Sequence, residues 1–219
     1  MENGNHEAAI QCFTNAMALD DDISRLMSPY RMARAQAFLQ VEDFSAAIAD
    51  FDELIKHSIH FDLALVLRGE TYLRIGNVEQ AIADSSEAIR SMAERYNGVT
   101  HDIQEVFDTL LRQSHYCRGV AYEQKEEWDR AIADYTEVIR IDPNCAPVYG
   151  SRGRLYLFEK DEIEKAVVDF TNVIRISPDN GLAHAIRGLA HRVLGKEKEA
   201  TADFARAKQL GVKTLEGLE

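Results

Sequence analysis

Five arginines and five aspartates carry the most regular chemistry in this chain. Arg34, Arg68, Arg118, Arg152 and Arg187 are each followed, sixteen or seventeen residues later, by Asp50, Asp84, Asp134, Asp169 and Asp203. A planar guanidinium meets a carboxylate through two parallel N–H···O bonds, so the recurrence predicts a ladder of ion pairs that ties helices together as a structural device. An anion-binding arginine row is the competing reading, but the aspartates would neutralise it. The other chemistry-bearing residues show no comparable order. His57 and His60 lie close in sequence, yet no third metal ligand stands at a recognisable spacing, and His184 and His191 occupy aromatic positions of a repeat. Asp20, Asp21 and Asp22 lack the alternating ligands and sharp glycine turn of a calcium loop and read as solvated linker. Cys12, Cys117 and Cys145 have neither metal nor redox spacing, and an odd count reads as reduced thiols in a cytoplasmic setting. There is no glycine-rich phosphate loop after a strand, no nucleophile elbow and no catalytic cysteine signature. The sequence therefore predicts no catalytic residue, no metal, no cofactor and no enzymatic activity.

What positions the ladder is a repeat. In the stretch Arg112 to Pro143, Gly119 is followed by Tyr122, then by Ala131, Asp134, Tyr135 and Val138, and Pro143 ends the copy. Gly153, Tyr156, Ala166, Phe170, Val173 and Pro178 repeat the series, as do Gly188, His191, Ala200, Phe204 and Ala207. The recurring alanines Ala47, Ala81, Ala131, Ala166 and Ala200 are 34, 50, 35 and 34 residues apart. This series resembles the tetratricopeptide repeat, a helix-turn-helix unit of that length. The resemblance implies an all-α, right-handed superhelical solenoid of tandem repeats, and a protein-binding role for the array.

On this period the chain is a single array over residues 1–219. Residues 5–23 match only the second helix of a repeat. Complete repeats follow at 28–61, 62–93, 112–145, 146–180 and 181–214. Ser28 with Pro29 gives a helix start. Residues 94–111 are surplus to the period. Their apolar residues fall on two helical stripes, Ile89, Met92, Ala93 and Tyr96, then Ile103, Val106, Phe107, Leu110 and Leu111, separated by Asn97-Gly98. They predict a lengthened helical hairpin that projects from the stack and covers its own apolar faces, with Thr100 and Asp102 at the start of its second helix. One extra residue in the fourth repeat is placed in the turn around Lys160 to Glu162. The final stretch VKTLEGLE is too short and weakly apolar for the capping helix that solenoids need, which leaves the array with uncapped ends.

With 25 lysines and arginines against 37 aspartates and glutamates, the net charge of −12 argues against nucleic acid or an anionic membrane as partner. No apolar run is long enough to span a bilayer. The resemblance implies a concave groove lined by the helix-A side opposite the packed face. Its predicted occupants are Met32, Gln36 and Leu39; Val66, Glu70 and Leu73; Tyr116, Val120 and Glu123; Arg154, Leu157 and Phe158; and Leu189 and Arg192. That wall is more apolar than a solvated face should be, and predicts a bound peptide segment of a protein partner. Mutual packing of these side chains is the alternative. A known subclass of the family clamps the C-terminal carboxylate of heat-shock chaperones with basic residues and asparagine. The corresponding positions here include Met32, Ala33, Gln36, Leu63, Leu67, Gln113 and Cys117, with no basic residue or asparagine among them. Chaperone-tail recognition by that clamp is thus not expected. Self-association through the uncapped ends, or service as the repeat portion of a larger protein or enzyme, are the alternative functions.

Overall fold

The computed structural model describes residues 3–18, 28–57, 61–95 and 101–213. The described residues form eleven α-helices and no strand. They divide into two compact blocks, Met1–Lys125 and Glu126–Glu219.

The first block holds α1 (Asn3–Ala18), α2 (Ser28–Gln40), α3 (Phe44–His57), α4 (Phe61–Arg74), α5 (Val78–Arg95) and α6 (His101–Gln124). Each packs on the next, and α4 also touches α6. The second block holds α7 (Trp128–Ile141), α8 (Ala146–Phe158), α9 (Ile163–Ile176), α10 (Gly181–Val193) and α11 (Glu197–Gln209), again each against its sequence neighbour. The Asp20-Asp21-Asp22 linker, His60, the Asn97-Gly98 turn, Thr100 and the segment after Lys213 lie outside the described residues.

The turns inside the repeats share one device. The residue at the turn takes a left-handed backbone, with φ of 59° at Glu42, 77° at Gly76 and 71° at Gly195. The next amide then reaches back to the carbonyl of the repeat's aromatic position. Asp43 N donates to Phe38 O at 3.0 Å, Asn77 N to Tyr72 O at 2.8 Å and Lys196 N to His191 O at 2.8 Å. This is the way a helix end satisfies its last carbonyls. In the fourth repeat Asp161 takes φ of 54° and Glu162 N donates to Tyr156 O at 2.8 Å, across six residues rather than five. The extra residue of that repeat is absorbed there. Asp43 then starts α3, its carboxylate accepting from Ala46 N at 3.0 Å, and Asn180 starts α10, accepting from Ala183 N at 3.0 Å.

Small residues and large ones interlock to make the cores. Ala35, Ala47, Phe51, Leu54 and Ala64 are buried together in the first block. Ala166, Phe170, Val173, Tyr149 and Ala183 form the main cluster of the second. The surplus between repeats covers its apolar residues partly on itself, Met92 of α5 with Phe107, Leu110 and Leu111 of α6, and partly on α4. It is made of helical turns added to the end of α5 and the start of α6. Phe107, Leu110 and Leu111 of α6 pack against Leu65, Val66, Ala88 and Met92 of α4 and α5. The added turns of α6 thus bury their apolar residues both on α5 and on α4.

The arginines and aspartates join the helices of a repeat. Arg34 Nε and Nη2 donate to Asp50 at 2.8 and 2.6 Å, and Arg68 to Asp84 at 2.7 and 2.7 Å. Arg152 donates to Asp169 at 2.9 and 2.7 Å, and Arg187 to Asp203 at 2.8 and 2.7 Å. Arg118 belongs to the first block and the buried Asp134 to the second. The remaining nitrogen, Nη1, turns to the preceding repeat. It donates to Thr14 from Arg34 at 3.2 Å, to Asp52 from Arg68 at 2.5 Å, and to Ser86 from Arg118 at 3.1 Å. Thr136 and Thr171 receive it from Arg152 and Arg187 at 2.9 and 3.2 Å. Each of these arginines therefore ties its repeat to the one before it.

Candidate interaction faces

Helix A of each repeat has one side turned to its own helix B and another left for something else. In the first block, that second side opens on a cavity of about 510 Å³ between α1, α2 and α4. Its walls include His6, Phe13, Gln36, Leu39, Gln40 and Leu67. Gln36 and Leu39 are thus placed at the cavity, while Met32 packs, half-buried, on the Phe51 cluster. Gln36, Ala33 and Leu67, which stand at clamp positions of the chaperone-binding subclass, also line this cavity and carry no cationic group.

Val66 does not line any surface. It is 1% exposed and belongs to the core with Leu65 and Met92, because the added turns of α6 cover that part of α4. Glu70 is half-buried, and burial pushes its carboxyl up, with Arg74 pulling the other way. Leu73 packs against the Ala81, Cys117 and Ala121 cluster. Val120 and Glu123 are half-buried, and Tyr116 is exposed on α6.

The second block has a cavity of about 500 Å³ between α8 and α10. Phe170 and Val173 of α9, both buried, contribute to its lining. Pro147, Gly150, Ser151 and Arg154 line it from α8, and Leu182, Ala183 and Ile186 from α10. Ser177 and Asn180 complete the lining in the turn between α9 and α10. Arg154 is exposed at this cavity. Leu157 is not: it is buried with Ile163 and Ala190, and Leu189 and Leu194 pack against the same cluster. Phe158 is 54% exposed at the end of α8. Arg192 is drawn to α11, its guanidinium 5.7 Å above the Phe204 ring.

Of the residues lining this cavity, Arg154 is the one among the expected groove occupants, and Ser151 and Ile186 are among those that the repeat spacing alone does not single out. The signal was present. Pro147 with Ser151, and Leu182 with Ile186, are i,i+4 pairs, which one helical face must present together.

His184 is buried, with Nδ1 3.3 Å from Asp203 Oδ1 and Nε2 3.2 Å from Pro178 O. His57 lies near Glu53, at 3.5 Å, on an exposed helix end. Among the described residues no group of three histidines, cysteines or carboxylates could hold a metal ion, and no helix is long and apolar enough to cross a membrane.

Residues 32–94 and 113–145 match two family models, each described as tetratricopeptide repeat. The Hsp70-Hsp90 organizing protein of Triticum aestivum is 28% identical over 174 residues, which cover 68% of this chain and 29% of that protein. Hsp70-Hsp90 organizing protein 3 of Arabidopsis thaliana is 24% identical over 170 residues, 68% of this chain and 30% of its own. The chain therefore spans less than a third of the length of these curated relatives. Among solved structures, MamA aligns with a TM-score of 0.67 at 24% identity, covering 80% of this chain and 93% of MamA. YrrB, a TPR protein with an unusual peptide-binding site, aligns with a TM-score of 0.70 at 14% identity, covering 93% and 94%. These two alignments establish a shared fold.

Proposed function

As a member of the tetratricopeptide repeat family, this chain is, we propose, a non-catalytic protein-interaction scaffold that holds a peptide segment of a partner against its helix-A faces. The observation that carries this reading is the pair of open cavities, one in each block, of about 510 and 500 Å³. Their linings combine apolar walls with a few polar groups, which is the composition of a site that binds by burial and orients by hydrogen bonds. Their preformed helical walls would lower the ordering cost of association.

The partner we infer is not a chaperone tail held by the carboxylate clamp, because glutamine, alanine and leucine stand at those positions in the first block. Nucleic acid and anionic membrane remain poor matches for a net charge of −12. Three free cysteines fit a reducing, cytoplasm-like compartment. Self-association is the weaker reading, since the exposed residues of α11 include Glu197, Lys198, Thr201, Lys208 and Gln209, a polar face rather than a sticky one.

A photo-crosslinking residue placed at Leu182 or Gln36 should capture partner polypeptide, and one at Ala202 on α11 should not. Equal capture at Ala202 would overturn the assignment of faces. Light scattering across a concentration series should give a constant monomer mass. A species that dissociates on dilution would move the weight to self-association.

A further inference from the structure

The first block shows which kind of segment it takes, given that its helix-A faces bind peptides as proposed above. Phe13 of α1, Gln36, Leu39 and Gln40 of α2 and Leu67 of α4 line its cavity. No lysine, arginine, aspartate or glutamate stands among the described lining residues. Gln36 and Gln40 are exposed and form an i,i+4 pair on one side of α2. Their amides both donate and accept, which suits the backbone of a bound chain and sets no preference for its charge.

The charge stands one turn further along α4. Glu70 follows Leu67 by three residues, about 5 Å along the helix axis at 1.5 Å per residue. It is half-buried and within electrostatic reach of Cys117 on α6, against which Leu73 of the same helix packs. Among the described residues no group donates a hydrogen bond to its carboxylate. Arg74 acts on it only through space, with its guanidinium 5.1 Å above the Phe44 ring of α3. The buried carboxylates of the same block are treated differently: Asp50 and Asp84 each accept two hydrogen bonds from an arginine. The fold has removed part of the water around Glu70 and put no donor in its place. An incoming cation offsets that cost.

Sign and spacing then define the ligand. The net charge of −12 draws the same kind of partner that Glu70 pairs with. An extended chain advances about 3.3 Å per residue, so two residues cover the step from Leu67 to Glu70. We infer that the first block binds a partner segment in which a lysine or arginine stands within two residues of a bulky apolar residue. The apolar side chain fills the cavity beside Leu67, and the cation meets Glu70.

A displayed library of random decapeptides selected on the whole chain tests this. Gln36→Trp fills the first cavity and Leu182→Glu spoils the second, so loss of binding to either variant assigns each peptide to a block. Circular dichroism verifies that the variants fold. Peptides lost with Gln36→Trp carry the basic residue beside the apolar one. Synthetic versions lose about tenfold in affinity when the basic residue becomes glutamine. Glu70→Gln removes that difference, and Glu70→Lys shifts selection toward aspartate or glutamate at the same place, which a merely structural role for Glu70 would not do. If peptides lost with Gln36→Trp carry no basic residue and bind Glu70→Gln equally well, the segment's chemistry is wrong and the groove reading stands. If every enriched peptide is lost with Leu182→Glu alone, the inference is likewise wrong and the groove reading stands on the second block. If nothing is enriched, or binding survives both Gln36→Trp and Leu182→Glu, the groove reading falls and this inference with it.

Discussion

Gly153 faces Asp169 so closely that a side-chain carbon added to the glycine would lie 3.0 Å from the Asp169 Cβ. The same approach joins Gly188 to Asp203, at 3.2 Å, and Gly69 to Asp84, at 3.3 Å. In each case the preceding residue is the arginine that binds that aspartate. Close packing and the ion pair are therefore one device: the bare backbone lets helix A settle onto helix B, and the neighbouring guanidinium then reaches the carboxylate at 2.7 to 2.9 Å.

Gly153→Ala should accordingly destabilise the second block. Alanine gains about 1 kcal/mol of helix propensity over glycine. The added carbon must also displace the Phe170 ring, 3.1 Å away, and the backbone side of Asp169. Overpacking of this kind costs about 1–3 kcal/mol, so the net effect is a loss. Ala35 holds the same position in the first repeat and is fully buried, so Ala35→Gly should also destabilise, by about 1 kcal/mol. Urea unfolding of both variants measures this. A Gly153→Ala protein more stable than the parent would show that the helices have room to spare.

The ion pairs should matter most when half broken. Asp169 is 1% exposed, and burial pushes its carboxyl above the ordinary range even against the two hydrogen bonds from Arg152. Holding that charge in the core is expensive, so the pair returns little beyond its own cost. Asp169→Leu alone leaves the Arg152 guanidinium half-buried without its main partner, and should cost about 3 kcal/mol. Arg152→Met with Asp169→Leu should cost distinctly less than the two single changes summed. Additive single and double variants in denaturant unfolding would remove the coupling.

The repeat was legible in the sequence because glycine, aromatic, alanine and proline recur at fixed spacing, each answering a backbone or packing need. The arginine–aspartate spacing was legible for the same reason. What spacing could not reveal was the direction of the third guanidinium nitrogen. Thr14, Asp52, Ser86, Thr136 and Thr171 all offer oxygen at one repeat position, two residues after the aspartate position, yet hydroxyls on a helix surface are too common to read as partners alone. Nor could periodicity say that the surplus helical turns would cover Val66, because amphipathic stripes fix which face is buried and not against what. Leu157 went astray for a similar reason. Its position turns outward on an isolated helix, and α9 and the next repeat together enclose it.

The cysteines should separate by reactivity. Cys117 is 2% exposed, and burial pushes its thiol up to about 11. The thiolate is the reactive species, so at neutral pH Cys117 is both uncharged and enclosed. Cys12 is exposed on α1. A disulfide exchange reagent at neutral pH should modify Cys12 in the native chain and Cys117 only after denaturant is added. Cys117→Ala should leave the fast phase untouched. Loss of that phase in the Cys117 variant would contradict the assignment.

Asp203 should give the second block an acid-sensitive component of stability with a definite sign. Burial raises its carboxyl, but hydrogen bonds from Arg187 and His184 outweigh that and hold it below the ordinary range. A carboxyl depressed in the folded state releases its proton more readily there than in the unfolded chain. Its contribution is therefore complete above the unfolded value of about 4 and is lost as pH falls through the lower folded value. Asp203→Asn removes the titrating group while preserving shape, so the variant should be less stable near neutrality and should lose less further stability between about pH 5 and pH 2. Unfolding midpoints measured stepwise across that range test the slope rather than the absolute stability, which separates linkage from the simple loss of hydrogen bonds. Parallel curves for parent and variant would mean that the folded chain does not hold this carboxyl below its ordinary range.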